Sequence, residues 1–504
     1  MARLRDSILA NYGGQAWIAL MGLAFVPVYV GRLGAESFGL VGFMLGLQSL
    51  SLLLDFGTGV FLSREIARRH HDPARQGSIR QLVRSFEWLV WPVALCIGLA
   101  ICLSAPAIAT GWLNAETLGR PTLVDAVVLI GLAVALLWPS SFYAAAMTGL
   151  EQQPRSNALA AAFSTLRYAG VLPVLYFTDT GILGFLAWFV LVAALQTAGF
   201  AVAAWRRLPA APEPARFRFS ELFDAHRFAL GVFAATALSL LLTQVDRFTL
   251  SALRPLQELG LYTVALTVTA GLGRLLQPMF SAIYPRMSRL VAQGDVATLS
   301  GLYHLSSQCV AVVAAAVGGV IVAYPEDLLR MWTGDAALSA RIALPLAMLT
   351  AGSVLNGLMI VPYALQLAHG SARLAIIANA LALALGIPYC LHAVDGYGLA
   401  GAASLWLFAN LAYCALFVPA MHRRMLPGEA ARWYLRDLLP ALLAAGVLVA
   451  AAKALRPTLE QTAADLAWLF ATALLAVCAA GLAAPDVRAL VRTQAQRLRA
   501  RSAE

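Results

Sequence analysis

The feature that most narrows what this chain can become is a succession of apolar runs about 20 residues long, repeated end to end. Short segments holding charge, glycine or proline separate them. A helix needs about 20 mainly apolar residues to cross a ~30 Å hydrocarbon layer, and only segments that satisfy their own backbone polar groups can do so. The expected fold is therefore all-α and polytopic. Of the 504 residues, 60% are hydrophobic and 12% charged, against about 25% charged in an average soluble domain. Spans are expected near 8–30, 38–61, 86–105, 122–148, 156–177, 181–205, 226–252, 259–285, 303–323, 342–367, 372–392, 397–421, 434–455 and 463–483, about fourteen in all.

The net charge of +10 does not point to nucleic acid. The arginines gather in short clusters between apolar runs, at 64–84, 206–227, 423–436 and in the tail, all on alternate connections. An excess of basic residues marks the cytoplasmic side, so both termini are expected there. The first run is too long for a cleaved signal and lacks a cleavage site, so it is read as the first span. Arginine outnumbers lysine, which appears only at Lys453, and alanine is abundant; that bias is typical of a GC-rich bacterial genome. Cys96, Cys102, Cys309, Cys390, Cys414 and Cys478 lie in apolar runs without metal-ligand or redox spacing. No metal or cofactor is expected.

Internal repetition is visible. Glu-Ser-Phe-Gly-Leu at 36–40 returns as Gln-Glu-Leu-Gly-Leu at 257–261, an offset of 221. Pro173 matches Pro388 at 215, while Gly181 with Gly184 and Arg206 with Arg207 match Gly398 with Gly401 and Arg423 with Arg424 at 217. The expected organisation is two six-helix bundles, 1–210 and 220–425, an additional helix pair at 434–483, and a basic cytoplasmic tail at 484–504. A repeat of an even number of spans gives both halves one orientation, with a pseudo-two-fold along the membrane normal and a cavity between them.

The residues carrying this repeat resemble a known family. Val-Pro-Val-Tyr-Val-Gly-Arg-Leu-Gly-Ala-Glu-Ser-Phe-Gly-Leu at 26–40, Asp-Phe-Gly at 55–57 and Ser-Arg-Glu-Ile-Ala-Arg-Arg at 63–69 are similar to the opening of polysaccharide and O-antigen flippases. Gln-Val-Asp-Arg-Phe at 244–248 and Leu-Gly-Leu-Tyr-Thr-Val-Ala at 259–265 resemble that family's seventh and eighth helices, although Arg-Pro-Leu at 254–256 replaces the usual glycine-containing turn. The resemblance implies a member of the multidrug, oligosaccharidyl-lipid and polysaccharide exporter superfamily in a bacterial inner membrane. It would carry a polyprenyl-pyrophosphate-linked oligosaccharide to the periplasmic leaflet by alternating access. Membrane lipids and other polysaccharide assembly proteins are the implied partners.

A charge at mid-bilayer costs roughly 2.5–3.5 kcal/mol on insertion scales, so each one needs a partner or a wet cavity. Arg167 and Arg274 fall near the middle of their expected spans, and Arg247 lies in the seventh. A pyrophosphate head group would be held by such guanidinium forks, whereas the structural alternative pairs each with a carbonyl or an acid. Asp246 and Asp55 are read either as ion-coupling groups or as members of structural ion pairs. Arg64, Arg68 and Arg69 head a basic cluster suited to orientation and to anionic lipid, at about 1 kcal/mol per charge. Prolines inside spans, at 27, 139, 173, 278, 362 and 388, permit kinks. Two other functions compete with transport of a glycan. A multidrug exporter for cations would favour an acidic cavity, and a membrane-embedded glycan-processing enzyme would need a soluble catalytic segment or a nucleophile or phosphate-binding motif that the sequence lacks.

Overall fold

The computed structural model describes residues 2–55, 57–72, 75–210, 217–219, 237–371, 373–456 and 462–501, and among them every regular element is helical. Two compact units divide the chain, Met1–Thr263 and Val264–Glu504. Eleven helical stretches among the described residues are long and apolar enough to cross a membrane. The protein is a multi-pass membrane protein. The difference from about fourteen has three sources: the first helix is diluted by Asn11 and Gln15, residues 226–236 of the seventh span lie outside the described residues, and spans eleven and twelve, which meet at the non-helical Gly398, are counted as one stretch, Arg373–Met425.

The first unit comprises α1 (Ala2–Ala24), α2 (Val26–Ser51), α3 (Thr58–His70), α4 (Ile79–Gly111), α5 (Arg120–Leu137), α6 (Pro139–Gly149), α7 (Gln153–Tyr168), α8 (Leu172–Phe177), α9 (Gly181–Trp205), α10 (Val245–Leu253) and the start of α11 (Leu256–Gln293). Pro27, Pro139 and Pro173 occupy first turns of α2, α6 and α8, where a missing N–H leaves no bond unmade. These prolines therefore divide spans into half-helices more than they bend them. Side chains cover carbonyls exposed at the breaks: Thr197 Oγ1 donates to Leu136 O at 2.5 Å, Trp188 Nε1 to Leu166 O at 3.1 Å and Tyr29 Oη to Tyr168 O at 2.5 Å. Leu62, Ile66, Leu82, Phe86, Phe142 and Met147 form the core joining α3, α4 and α6.

Just past the non-helical Gly34, the middle of α2 meets the start of α11 through glycines. A Cβ on Gly39 would strike the Leu256 carbonyl, one on Gly260 the Ala35 carbonyl, and one on Gly42 the Thr263 hydroxyl. Adding 221 to 35, 39 and 42 gives 256, 260 and 263, so the first two contacts exchange under the repeat and the third joins a residue to its own counterpart. That is the pattern of a two-fold axis, here within one chain. The segment between α4 and α5 latches both helices. Glu36, buried, accepts from Glu116 N at 3.0 Å, Thr117 N at 3.0 Å, Leu118 N at 3.1 Å and Thr117 Oγ1 at 2.6 Å, while Leu256 N donates to Asn114 O at 2.7 Å. Gly181 and Gly398, 217 apart, share a left-handed φ of 55° and 54°, a conformation in which a Cβ is strained.

The rest of α11 opens the second unit, followed by α12 (Val296–Ala323), α13 (Pro325–Thr333), α14 (Ala336–Leu358), α15 (Ile360–Ala368), α16 (Arg373–Ala412), α17 (Val418–Met425), α18 (Leu439–Ala454), α19 (Thr462–Ala483) and α20 (Pro485–Arg501). The additional pair α18 and α19 is fastened to α12 at both ends. At one end Lys453 Nζ donates to Ala323 O at 2.5 Å, and Arg456 pairs with Asp327 at 2.8 Å and Asp465 at 2.6 Å; those two carboxylates raise the guanidinium's already high proton affinity. At the other end Trp433, whose position suits the membrane interface, is fully buried and donates to Ser307 Oγ at 3.1 Å.

Replacing Gly39 or Gly260 with alanine is expected to lower thermal stability in detergent by about 1–3 kcal/mol, the usual cost of overpacking. Gly31→Ala, whose Cβ meets nothing within 4 Å, should stay within about 0.5 kcal/mol of the parent. Melting of the purified variants checks this, and equal curves for all three would remove the close approach.

Candidate functional site

Arg274 lies in the middle of the Leu256–Gln293 stretch, exposed, with no hydrogen bond or ion pair to a described residue. Its helix has two faces. Leu272 and Leu276 are buried in the core of the second unit, while Ala270, Arg274, Gln277 and Ser281 share the opposite, exposed side, at spacings of four, three and four that align on one helical face. Gly271 and Gly273 add no bulk there, and a Cβ on either would meet nothing within 4 Å. Toward the end of the stripe Phe280 stacks on Tyr284 at 5.6 Å and on Tyr363 of α15 at 6.1 Å.

Arg167 occupies the last turn of α7, just before the break at Gly170, and reaches α9. Its Nη2 donates to Gln196 Oε1 at 2.6 Å, and its guanidinium lies 5.9 Å from the Phe189 ring centre. Among the described residues no carboxylate pairs with it. Its neutral partners position the guanidinium and leave its charge uncompensated.

Asp246 and Arg247 diverge, as neighbours on a helix must. Asp246 is buried and accepts from Tyr262 Oη at 2.5 Å and from Arg247 N at 2.7 Å. Arg247 Nη1 donates to Gln244 Oε1 at 3.2 Å, its Nε is buried without a partner, and its Cδ lies against Gly46, where only a glycine leaves room. Asp55 caps α3, accepting from Thr58 Oγ1 at 2.6 Å and Gly59 N at 3.3 Å beside Gly57 at φ 76°. Arg69 is bound within its own neighbourhood by Glu65 at 2.8 Å and Ser78 Oγ at 3.2 Å, whereas Arg64 and Arg68 are exposed. Arg68 Nε also lies 3.7 Å from Glu65 Oε2.

Several groups in the structure had no sequence signal of their own. Glu36 belongs to the repeated motif but reads there as a connecting residue. Glu87 is buried and gathers Tyr143 Oη at 2.8 Å, Trp205 Nε1 at 2.6 Å and Arg84 Nη1 at 2.9 Å. His304, at 0% exposure, faces carboxylates more than 120 positions away.

This fold is shared with solved multi-pass transporters, a flippase and multidrug exporters among them. The structure described as lipid II flippase MurJ, inward closed conformation, matches at a TM-score of 0.72 with 11% identity, covering 96% of this chain and 99% of that one. An inward-facing multidrug resistance MATE family transporter of the MOP superfamily matches at 0.66 with 16% identity over 81% and 94%. A MOP superfamily transporter from Pyrococcus furiosus, described as having a binding pocket of reverse polarity, matches at 0.60 with 16% identity over 84% and 95%. Identities this low establish the fold alone. In sequence, the chain belongs to the polysaccharide biosynthesis protein family, whose model matches residues 4–291. No curated protein matches the sequence significantly.

If the Arg274 stripe borders water, cysteines placed at 274, 277 and 281 in a background free of the native cysteines should react with a charged, membrane-impermeant thiol reagent. Rates at least about tenfold above those at 272 and 276 are expected, since only ionised thiol in water reacts. Uniformly slow labelling would place the stripe against lipid.

Proposed function

We propose that the protein moves a polyprenyl-pyrophosphate-linked oligosaccharide from the cytoplasmic to the periplasmic leaflet of a bacterial inner membrane by alternating access, for cell-surface polysaccharide assembly. The observation that carries this reading is Arg274, exposed on a membrane-crossing helix beside Gln277 and Ser281 with no hydrogen bond or ion pair among the described residues. A lipid-facing guanidinium would cost several kcal/mol, so water and an anionic ligand are the natural surroundings. Arg167, held by the neutral Gln196, is the second donor we assign to the anionic head group, and Arg247, with one unsatisfied N–H, the third.

Guanidinium donors suit a pyrophosphate because they offer parallel N–H bonds to its oxygens and stay charged at any physiological pH. The stacked Phe280, Tyr284 and Tyr363 suit the sugar, since aromatic faces pack against the apolar sides of pyranose rings. The polyprenyl chain would remain in hydrocarbon, where its transfer costs little. Bonds to Tyr262 and a backbone amide occupy Asp246, so the acid available for a cationic drug is already engaged. That favours the lipid-linked glycan over the multidrug alternative. We place both termini in the cytoplasm from the arginine distribution and assign membrane lipids and other assembly proteins as partners, with Arg64 and Arg68 toward anionic head groups.

Reconstituted vesicles containing a labelled polyprenyl-pyrophosphate oligosaccharide provide the test. The parent protein should transfer label between leaflets, and Arg167→Ala and Arg274→Ala should each slow transfer about tenfold or more, the value of a charged hydrogen bond of 1.5–3 kcal/mol. No transfer by the parent across several glycans, together with efflux of cationic dyes, would overturn the assignment in favour of a drug exporter.

A further inference from the structure

Besides its arginine, the second unit presents a neutral amide on one of its spans. Asn356 lies in the last turn of α14, within the membrane-crossing stretch Ala336–Ala368, and it is exposed. Its Nδ2 donates to Asn410 Oδ1 of α16 at 2.9 Å, and the buried Asn410 donates in turn to Trp406 O at 2.8 Å. One turn back along both helices Trp406 Nε1 donates to Ser353 Oγ at 3.0 Å, and a Cβ on Gly352 would strike the Trp406 ring. These bonds have a direction. A carbonyl only accepts, so Asn410 turns its NH2 to Trp406 O and its oxygen to Asn356. Asn356 must then spend its own NH2 on that oxygen, which leaves Asn356 Oδ1 without a partner among the described residues. An asparagine that merely glues helices is buried between them with both ends bonded; here Gly352 and the Trp406–Ser353 bond already hold α14 against α16.

Two close approaches fix what lies around this amide. A Cβ on Gly357 would strike the Leu276 side chain of α11, and further along both spans Phe280 of α11 stacks on Tyr363 of α15 at 6.1 Å. Because 276 meets 357 and 280 meets 363, α11 and the α14–α15 span run side by side in the same direction. Asn356 is therefore level with Gln277, three residues beyond Arg274, while the exposed Tyr363 is level with Phe280 and Ser281. Asn356 and Tyr363 are seven positions apart, the spacing that returns to one side of a helix. An aromatic face and a pre-aimed acceptor thus share one side of a span that adjoins the arginine stripe.

We propose that Asn356 and Tyr363 form a subsite for the first sugar, the one joined to the pyrophosphate, a site that rests on the lipid-linked glycan reading and extends it from the anionic group to the carbohydrate. The pyranose lies with its C–H side on Tyr363 and gives one hydroxyl hydrogen to Asn356 Oδ1. Asn410 is a positioning residue: by consuming the Asn356 NH2 it keeps the acceptor turned outward. Sites built to bond a hydroxyl discriminate strongly against ligands that lack it, because the waiting polar atom is then left unpaired. Arg274 holds any polyprenyl pyrophosphate, and Asn356 distinguishes a glycosylated carrier from a bare one.

Equilibrium binding to the purified full chain tests this without transport, using short-chain polyprenyl pyrophosphates that are bare or carry one glucose, galactose or N-acetylglucosamine. The parent should bind at least one glycosylated probe about tenfold more tightly than the bare one, the scale of a single added hydrogen bond. Asn356→Ala should bring that ratio to within about twofold of unity and leave the bare probe's affinity unchanged, whereas Arg274→Ala should weaken both probes and preserve the ratio. Tyr363→Leu should also shrink the ratio alone, and it decides the matter should Asn356→Ala fail to fold. A ratio of one in the parent, a ratio that survives Asn356→Ala and Tyr363→Leu, or an Asn356→Ala variant that weakens bare and glycosylated probes alike overturns the subsite while the pyrophosphate reading stands. A parent that binds no probe, bare or glycosylated, overturns both.

Discussion

Hydrocarbon offers no hydrogen-bond partner, and the rest of the structure follows from how the chain answers that condition. Where helices are continuous the backbone satisfies itself. Where proline or glycine interrupts them, a side chain from a neighbouring helix supplies the missing donor: Thr197 at Leu136, Trp188 at Leu166 and Tyr29 at Tyr168. Each repair also ties two helices together, which matters because apolar surface gives helices in lipid little reason to associate. Broken spans are thus sources of tertiary specificity.

The same condition sorts the charges. Glu36, Glu87 and Asp246 are buried and draw two or more donors each, and Asp55 draws its own at the start of α3. The arginines divide differently: Arg69 and Arg456 are pinned by acids, while Arg167 has only a neutral amide and Arg274 has nothing among the described residues. On the proposed reading, guanidiniums left without a carboxylate where the acids are already satisfied suit an anionic cargo.

The all-helical, membrane-spanning class was legible because hydropathy reports directly on the solvent a segment faces, and the motifs at 26–40 and 244–265 led to the family that the match over residues 4–291 establishes. Span number was harder to read, since Pro139 and Pro173 split single spans in two, whereas the expected break between spans eleven and twelve is present at the non-helical Gly398. Sequence placed Arg274 at mid-membrane but could not say that its face is open, because that depends on Leu272 and Leu276 being drawn to the other side. The His304 cluster was out of reach altogether. Its partners lie 125 and 133 residues away, and nothing local distinguishes a histidine that will meet them.

Close packing at Gly39, Gly42 and Gly260 has a historical side as well. Each of these positions abuts the backbone or side chain of its counterpart's helix, so a change in one copy is felt by the other. Elsewhere the two segments can drift apart residue by residue, keeping only enough apolarity to remain in the bilayer. At this one junction they must change together or not at all, and a trace of self-similarity survives there after the surrounding sequence has lost it.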